Sequence, residues 1–297
     1  MIKQTPELLA LCVLSFGCSG PRAEIDLDQN ILPQHEHSNN SNELNQKISA
    51  NEIVLYSGAG VAKRSLTEIP DVIEGLLGSR GYHVRKEDSS YFLTADWEKR
   101  TALIIMPGGA DLPYVKALTG LQNKRIIEFV ENGGTYVGFC AGAYYGSKYV
   151  EFDKSGPLEV LGERELGFFP GIARGPAYGV YHYENDEGAR IAKIQMTGND
   201  RIFYSYFNGG CSFVDADQYS NITVLGRYSD LAGKPAAFIE CQVGKGKAYL
   251  LGFHPEFTLD SFPVESSQAS ELVERQHRHW EDRKAILNIV FSDLPQL

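Results

Sequence analysis

The chain has 297 residues and a formal charge of −10, because 28 Lys and Arg residues are outnumbered by 38 Asp and Glu residues. An acidic protein lacks the clustered basic side chains that bind phosphate backbones, so we expect no nucleic-acid partner. With 43% hydrophobic and 22% charged residues, the composition is that of a globular protein and excludes wholesale disorder. Thirty glycines favour an α/β protein with many tight turns over a helical bundle.

The first residues, 1–17, predict a secretory signal rather than a part of the fold. Their uncharged stretch LLALCVLSF (8–16) is shorter than the roughly 20 apolar residues that span a bilayer. Ser15 and Gly17 fit the −3/−1 cleavage pattern ahead of Cys18, so we expect an exported protein that is periplasmic, membrane-tethered or secreted. Cys18 also fits a lipidated cysteine that tethers the protein to a membrane. Ser15 stands where bacterial lipoproteins usually carry leucine, so lipidation stays open.

Residues 18–50 predict a polar linker between this signal and a folded domain that occupies residues 51–297. The linker is rich in Asn, Gln, Ser and His, and it shows no apolar period. His35 and His37 flank Glu36, but such a triplet is more typical of a polar tether than of a metal site. We therefore predict no bound metal.

From Glu52 onward, strand-like and helical patterns alternate. Short apolar or β-branched runs at Glu52–Tyr56, Ala102–Met106 and Thr135–Phe139 are typical of strands, and the continuous run at 102–106 suits a parallel strand buried on both faces. Apolar residues at helical spacing predict helices over 67–79 and 114–131. The other predicted elements are strands at 82–85, 179–183, 201–207, 222–225, 236–242 and 247–252, and helices from Ala141 onward and over about 269–291. This alternation predicts an α/β fold with a parallel sheet covered by helices.

The glycine-rich turns do not match the motifs that bind nucleotides. Gly58 and Gly60 begin a GxGxxG spacing, but Lys63 stands where the third glycine belongs. Gly244 and Gly246 begin the same spacing, but Tyr249 stands where the third glycine belongs. No GxxxxGK[ST] sequence is present. We therefore predict no organic cofactor.

The segment GFCAG (138–142) places a cysteine between a predicted strand and a predicted helix. Small residues on both sides suit the sharp turn of a nucleophile elbow, with Cys140 as the nucleophile. The partial positive charge at a helix start favours the thiolate, which is the reactive form. The N–H of Ala141 would point towards a developing oxyanion, and the glycines at 108–109 offer a second donor at the end of the neighbouring strand.

The segment GFHPEF (252–257) supplies a base and a group that orients it, both of which a thiolate nucleophile needs. In extended backbone, residues i and i+2 face the same way, so His254 and Glu256 can converge. Pro255 favours extended geometry at His254. Cys140 is distant in sequence, so only the fold can unite the three residues.

Together, these two segments resemble the Cys-His-Glu triad of class I glutamine amidotransferases. The longer context is most similar to one branch, the biotin–protein ligase N-terminal domain-like proteins. The resemblance covers about residues 52–260 and is carried by IIMPGGADLPY (104–114), GGTYVGFCAGAYYGSKYVEF (133–152), YFNGGCSFVDAD (206–217) and GKPAAFIECQVGKGKAYLLGFHPEF (233–257). It implies a flavodoxin-like amidotransferase fold with a mostly parallel central sheet and additional strands in the C-terminal half.

The resemblance also implies a role for each residue of the site. Cys140 would be the nucleophile, His254 the base and Glu256 the group that orients the base. Gly109 and Ala141 would donate hydrogen bonds to the oxyanion.

Two features set this chain apart from glutaminases. Tyr144 stands four residues after the nucleophile, where those enzymes commonly carry a glutamine that helps to hold the substrate. We assign Tyr144 and Gly108 to substrate binding, and the identity of the substrate stays open. The sequence contains neither an ATP-binding or synthase segment nor the GRGRxG-like stretch of biotin ligases, so we do not expect biotinylation.

The leading hypothesis is a cysteine hydrolase or amidotransferase-like enzyme that acts on a C–N amide bond of a small molecule or peptide. The alternative is a non-catalytic module of the cell envelope that binds a small ligand or peptide in the same pocket. A third hypothesis is a redox role for Cys140, because thiolates at helix starts oxidise readily. In an exported protein, Cys211 and Cys241 are candidates for a disulfide, although two free thiols are the preferred interpretation.

Overall fold

A computed structural model of the chain describes residues 50–182, 185, 187–258, 276–295 and 297. The predicted signal and the linker before Ala50, including Cys18, His35 and His37, lie outside these described residues. Among the helices within the described ranges, none has both the length and the apolar character that crossing a bilayer requires.

The described residues form six α-helices and thirteen β-strands, and helices and strands alternate through the first half of the domain. In chain order they are β1 (Glu52–Tyr56), α1 (Lys63–Leu77), β2 (His83–Glu87), α2 (Trp97–Arg100), β3 (Thr101–Met106), α3 (Asp111–Leu118), α4 (Leu121–Glu131), β4 (Thr135–Phe139), α5 (Ala141–Tyr145), β5 (Ser147–Phe152), β6 (Val160–Glu163), β7 (Phe169–Gly175), β8 (Arg190–Met196), β9 (Ile202–Phe207), β10 (Ser212–Phe213), β11 (Ile222–Tyr228), β12 (Ala236–Val243), β13 (Gly246–Leu251) and α6 (Gln276–Val290).

Five parallel strands form the centre of the sheet, in the order β2-β1-β3-β4-β13. This is the 2-1-3-4-5 order of flavodoxin-like folds, with β13 in the place of the fifth strand. Alternate residues along the strands enter two separate hydrophobic clusters, as Ile53 and Val54 of β1 do. Since such alternation means burial on both faces, helices cover the sheet on both sides. The predicted α/β, flavodoxin-like fold is confirmed.

The later strands extend the sheet, as predicted for the C-terminal half, and most of them pair antiparallel, although β5 and β7 are parallel. β12 pairs antiparallel with β13, and β10, β7, β5 and β6 continue the sheet beyond it. β11, β8 and β9 form an antiparallel branch from β12. Phe152 of β5 and Val160 of β6 line a cavity together with Cys140, which follows the carboxyl end of β4.

Two predicted elements, the helix over 114–131 and the strand over 179–183, were wrong. The apolar period over 114–131 predicted one helix, but Gly120 separates α3 from α4 with a φ of +86°, a left-handed conformation that interrupts the helical hydrogen bonding. Residues 179–182 are not in a strand, because Gly179 has a φ of +81°, outside the range of extended backbone. Tyr183, the last residue of that predicted strand, lies outside the described residues.

The remaining differences concern helix length and cysteine pairing. The helix after Cys140 is only five residues long, because β5 begins at Ser147. Of the last predicted helix, the structure describes the part from Gln276 onward. Cys211 and Cys241 are buried free thiols, so the disulfide that the sequence left open is not formed.

Candidate active site

Cys140 lies directly after β4, where the strand turns into α5. Its φ of 48° and ψ of −102° place it in a region that residues other than glycine rarely adopt. Its N–H donates to the Leu251 carbonyl at 2.9 Å, and its own carbonyl accepts from Ala143 and Tyr144 at 3.0 Å. The thiol lies 3.6 Å from the Asn208 carbonyl. The strained strand-to-helix turn predicted for this segment is therefore present, and it is held at both peptide groups of the cysteine.

His254 and Glu256 meet beside this thiol. The His254 Nδ1 atom lies 2.8 Å from Glu256 Oε1, and His254 lines the same cavity as Cys140. Both residues are buried, with exposures of 4% and 1%. They converge although only His254 is extended, in a β-bridge with Tyr206, whereas Pro255 and Glu256 lie in a turn. The structure thus brings together the three residues of the predicted triad.

The surroundings of His254 favour its charged form. Burial alone lowers the pKa of His254, but the Glu256 carboxylate and the Cys140 sulfur oppose this, and the net pKa is raised. Glu256 Oε2 is buried and has no hydrogen-bond partner among the described residues. The positive charge of the neighbouring imidazolium therefore balances the negative charge of this carboxylate. Because the folded-state pKa is raised, the imidazolium stabilises the fold below the pKa of an unfolded histidine. That contribution is lost as the pH rises through the folded value.

Substituting glutamine for Glu256 tests this charge arrangement. The substitution removes the negative charge that raises the pKa of His254, so burial then keeps the imidazole neutral. Without an imidazolium beside it, the Cys140 sulfur is a weaker nucleophile, and we expect its alkylation by iodoacetamide at about pH 6 to slow at least about tenfold. Mass spectrometry of the labelled cysteine over a pH series measures this rate. Glu98→Gln, which removes a carboxylate outside the cavity lining, should leave the rate unchanged. If the alkylation rate of Cys140 depends on pH in the same way in Glu256→Gln and in wild type, the Glu256 carboxylate does not hold His254 in its charged form.

The predicted oxyanion donors Gly109 and Ala141 border the same cavity as the thiol. The neighbouring amides of Ala110 and Gly142 donate to backbone oxygens at 2.9 and 3.1 Å, so the fold already uses them. Within the described residues, the N–H groups of Gly109 and Ala141 have no such acceptor. These two amides are therefore available to a bound carbonyl oxygen, as an oxyanion hole requires.

The two residues assigned to substrate binding occupy different places. A Cβ atom on Gly108 would lie 2.5 Å from Cε1 of His254, so this glycine makes room for the imidazole and packs against it. Tyr144 does line the cavity, and its hydroxyl donates to the Gly209 carbonyl at 3.0 Å. Of the two, only Tyr144 is placed to touch a ligand.

The cavity in front of Cys140 has a volume of about 190 Å³. Most of its other walls are apolar or aromatic side chains, namely Val150, Phe152, Val160, Tyr181, Tyr206 and Phe257. Sequence reasoning assigned none of these residues to the site, and it did not predict β5 and β6, which carry Val150, Phe152 and Val160. A period-two pattern at Val150 and Phe152 was the available signal, and it is too short to stand out.

Two arginines that the sequence analysis did not single out hold the turn after the imidazole. Arg283 of α6 donates to the Pro255 and Glu256 carbonyls at 2.7 Å each. Arg64 of α1 donates to the Thr258 carbonyl. No local motif marks either residue, because their partners lie far away in sequence. The position of the triad therefore depends on two helices that contribute no reacting group.

Comparison with known proteins identifies relatives of the chain. The family of the biotin–protein ligase N-terminal domain matches residues 51–295. A biotin–protein ligase of Schizosaccharomyces pombe is 37% identical over 221 residues, which are 71% of this chain and 34% of the ligase. An uncharacterized protein of Chlamydia muridarum is 41% identical over 162 residues, which are 54% of this chain and 62% of that protein.

Among solved structures, PurLQS from Thermotoga maritima aligns with a TM-score of 0.46 and 14% identity, over 78% of this chain and 99% of that chain. The chain spans about a third of the yeast ligase and less than two thirds of the chlamydial protein. The family match covers nearly all of residues 51–297, the range predicted to form the domain. The chain therefore belongs to the biotin–protein ligase N-terminal domain family.

Proposed function

We propose that the protein is a cysteine hydrolase that cleaves the C–N bond of a small amide or peptide amide. The supporting observation is the geometry around Cys140: a strained residue after β4 that shares its cavity with an imidazole, which in turn lies 2.8 Å from the Glu256 carboxylate. Family membership alone does not carry this proposal, because the chain matches only a third of the yeast ligase.

The first half of the reaction forms a thioester. The Cys140 thiolate attacks the amide carbonyl carbon, a C–S bond forms, and an electron pair moves onto the oxygen. The N–H groups of Gly109 and Ala141 donate to this oxyanion. The His254 imidazolium then gives its proton to the nitrogen, the C–N bond breaks, and ammonia or an amine leaves.

The second half of the reaction releases the acid. Neutral His254 takes a proton from water, whose oxygen attacks the thioester carbonyl. When the tetrahedral intermediate collapses, the C–S bond breaks and Cys140 leaves as a thiolate. The imidazolium is restored, held towards the thiolate by Glu256, and a carboxylic acid is the second product. This cycle uses groups of the chain and water alone, so we propose no cofactor.

We also propose that the protein acts outside the cytoplasm, with Cys18 as its attachment point to a membrane. The uncharged stretch 8–16 and the polar segment that follows it support this proposal. Fractionation of cells that produce the full chain, followed by mass measurement of its mature N-terminus, tests it. An N-terminus that retains Met1 on a protein confined to the cytoplasm would reject it.

Ammonia release from a panel of primary amides, including glutamine, tests the hydrolase proposal. We expect wild type to release ammonia from at least one amide, and His254→Ala to lower kcat by about 10³-fold or more, because both proton transfers pass through the imidazole. His83→Ala, which removes an exposed histidine of β2, is the matched control and should retain the rate. If a ligand raises the melting temperature and is recovered unchanged, the binding-module alternative replaces the hydrolase.

A further inference from the structure

We infer that the acyl side chain of the substrate is a small apolar or aromatic group, and not the charged, polar chain of glutamine. The inference rests on the proposed function, since it concerns what the cavity in front of Cys140 holds during amide cleavage. Three properties of the cavity support it: an aromatic wall, charges that are already paired, and the volume.

Three aromatic residues, Tyr144, Phe152 and Tyr181, form one continuous wall of the cavity, which we call the aromatic wall. Their rings meet edge to face, at 5.7 Å between Tyr144 and Phe152 and at 5.5 Å between Phe152 and Tyr181. Such contacts hold rings in fixed orientations. An apolar group of a ligand can pack against this wall without leaving a polar atom unpaired.

The Tyr144 hydroxyl is committed within the protein, because it donates its proton to the Gly209 carbonyl at 3.0 Å. It therefore has no proton to offer to an amide or carboxylate of a ligand. Tyr144 stands where glutaminases commonly carry glutamine, so the wall is apolar at a position where those enzymes place an amide.

The charged groups at the cavity are paired with other residues of the chain. Arg64 donates to Glu68 at 2.5 Å, and its guanidinium lies over the Phe257 ring at 4.3 Å. Asp111 accepts from the buried Arg164, with distances of 2.7 and 2.6 Å. Burial raises the pKa of Asp111 more than Arg164 lowers it.

An α-amino acid such as glutamine would bring one positive and one negative charge into this cavity. Each charge loses its hydration and needs an unpaired partner of opposite sign, or its burial is unfavourable. Besides His254, which is paired with Glu256, Arg64 and Asp111 are the charged residues of the cavity lining, and each is paired with another residue of the chain. An uncharged apolar acyl group avoids this cost.

The size of the cavity fits the same class of ligand. Its volume is about 190 Å³. A dry cavity of about 150 Å³ lined by apolar side chains holds a benzene ring. The cavity therefore accommodates a branched aliphatic or phenyl group next to the scissile amide.

The test compares isobutyramide and phenylacetamide with glutamine, by ammonia release from wild type and by calorimetric binding to Cys140→Ala. We expect kcat/KM for an apolar amide to exceed that for glutamine by at least about tenfold. Val160→Phe fills the cavity from β6 and should lower kcat/KM for phenylacetamide more than for acetamide. Leu161→Phe adds the same ring one residue along β6, on a side chain that is 43% exposed, and should change neither value.

The two assays separate this inference from the proposed function. If no amide releases ammonia but Cys140→Ala binds phenylacetamide and not glutamine, the hydrolase proposal fails and the inference on ligand class stands. If glutamine is hydrolysed or bound as well as the apolar amides, the inference is overturned while the hydrolase proposal survives. If Val160→Phe and Leu161→Phe change kcat/KM for phenylacetamide equally, the inference on ligand class is also overturned.

Discussion

Replacing Cys140 by alanine is expected to lower kcat for amide hydrolysis by at least about 10⁴-fold, because no other group can form the thioester. The remaining site still holds a substrate carbonyl at Gly109 and Ala141, so KM should change far less than kcat. The loss is therefore one of covalent chemistry and not of binding. Ammonia release under saturating amide measures kcat, and thermal unfolding verifies that the variant is folded.

Cys241→Ala is the matched control for this substitution. Cys241 is a fully buried free thiol of β12, and burial raises its pKa well above the usual value. It should retain the wild-type kcat, with a small loss of stability from the missing sulfur. If Cys140→Ala keeps more than about a tenth of the wild-type kcat, Cys140 is not the nucleophile and the proposed mechanism fails.

The parts of the candidate site that lie at strand ends could be predicted from sequence patterns. Cys140 follows β4, and the motif that surrounds it demands small residues, which leave a local pattern. His254 and Glu256 lie two residues apart, so the sequence predicted that they converge, although they do so through a turn at Pro255 and Glu256 and not through extended backbone. The parallel strands were predictable for a related reason: β3 and β4 are buried on both faces, and this leaves continuous apolar runs.

The cavity walls could not be predicted in the same way. Val160 reaches the site only because β6 pairs with β5, and Tyr181 because its segment packs on Phe152. Such antiparallel neighbours are chosen by tertiary packing, and their sequences carry no motif. The ion pair between Asp111 and Arg164 is equally hidden, since 53 residues separate its partners. The candidate reacting residues therefore leave a clearer pattern in this sequence than the residues that line the cavity.

Gly142→Ala is expected to damage both the fold and the site, because a Cβ atom at this position would lie 1.9 Å from the Met106 carbonyl oxygen. Backbone atoms cannot yield to this contact, so α5 must move away from the end of β3. We expect the free energy of unfolding to fall by at least about 2 kcal/mol. Chemical denaturation monitored by circular dichroism measures the loss.

The same shift should reach the oxyanion donors, since Gly142 N–H also donates to the Pro107 carbonyl at 3.1 Å. This bond joins the start of α5, with Ala141, to the loop that carries Gly109. Displacement of such donors by about 1 Å costs about 10²-fold in rate, so kcat should fall to this extent in the fraction that remains folded.

Gly75→Ala is the matched control, because it adds the same methyl group to a helical glycine of α1 that has no atom within 4 Å of the new Cβ. It should stabilise the protein by about 0.5–1 kcal/mol through helix propensity and leave kcat unchanged. If Gly142→Ala instead behaves like Gly75→Ala, the close packing of α5 on β3 is not what positions Cys140 and its oxyanion donors.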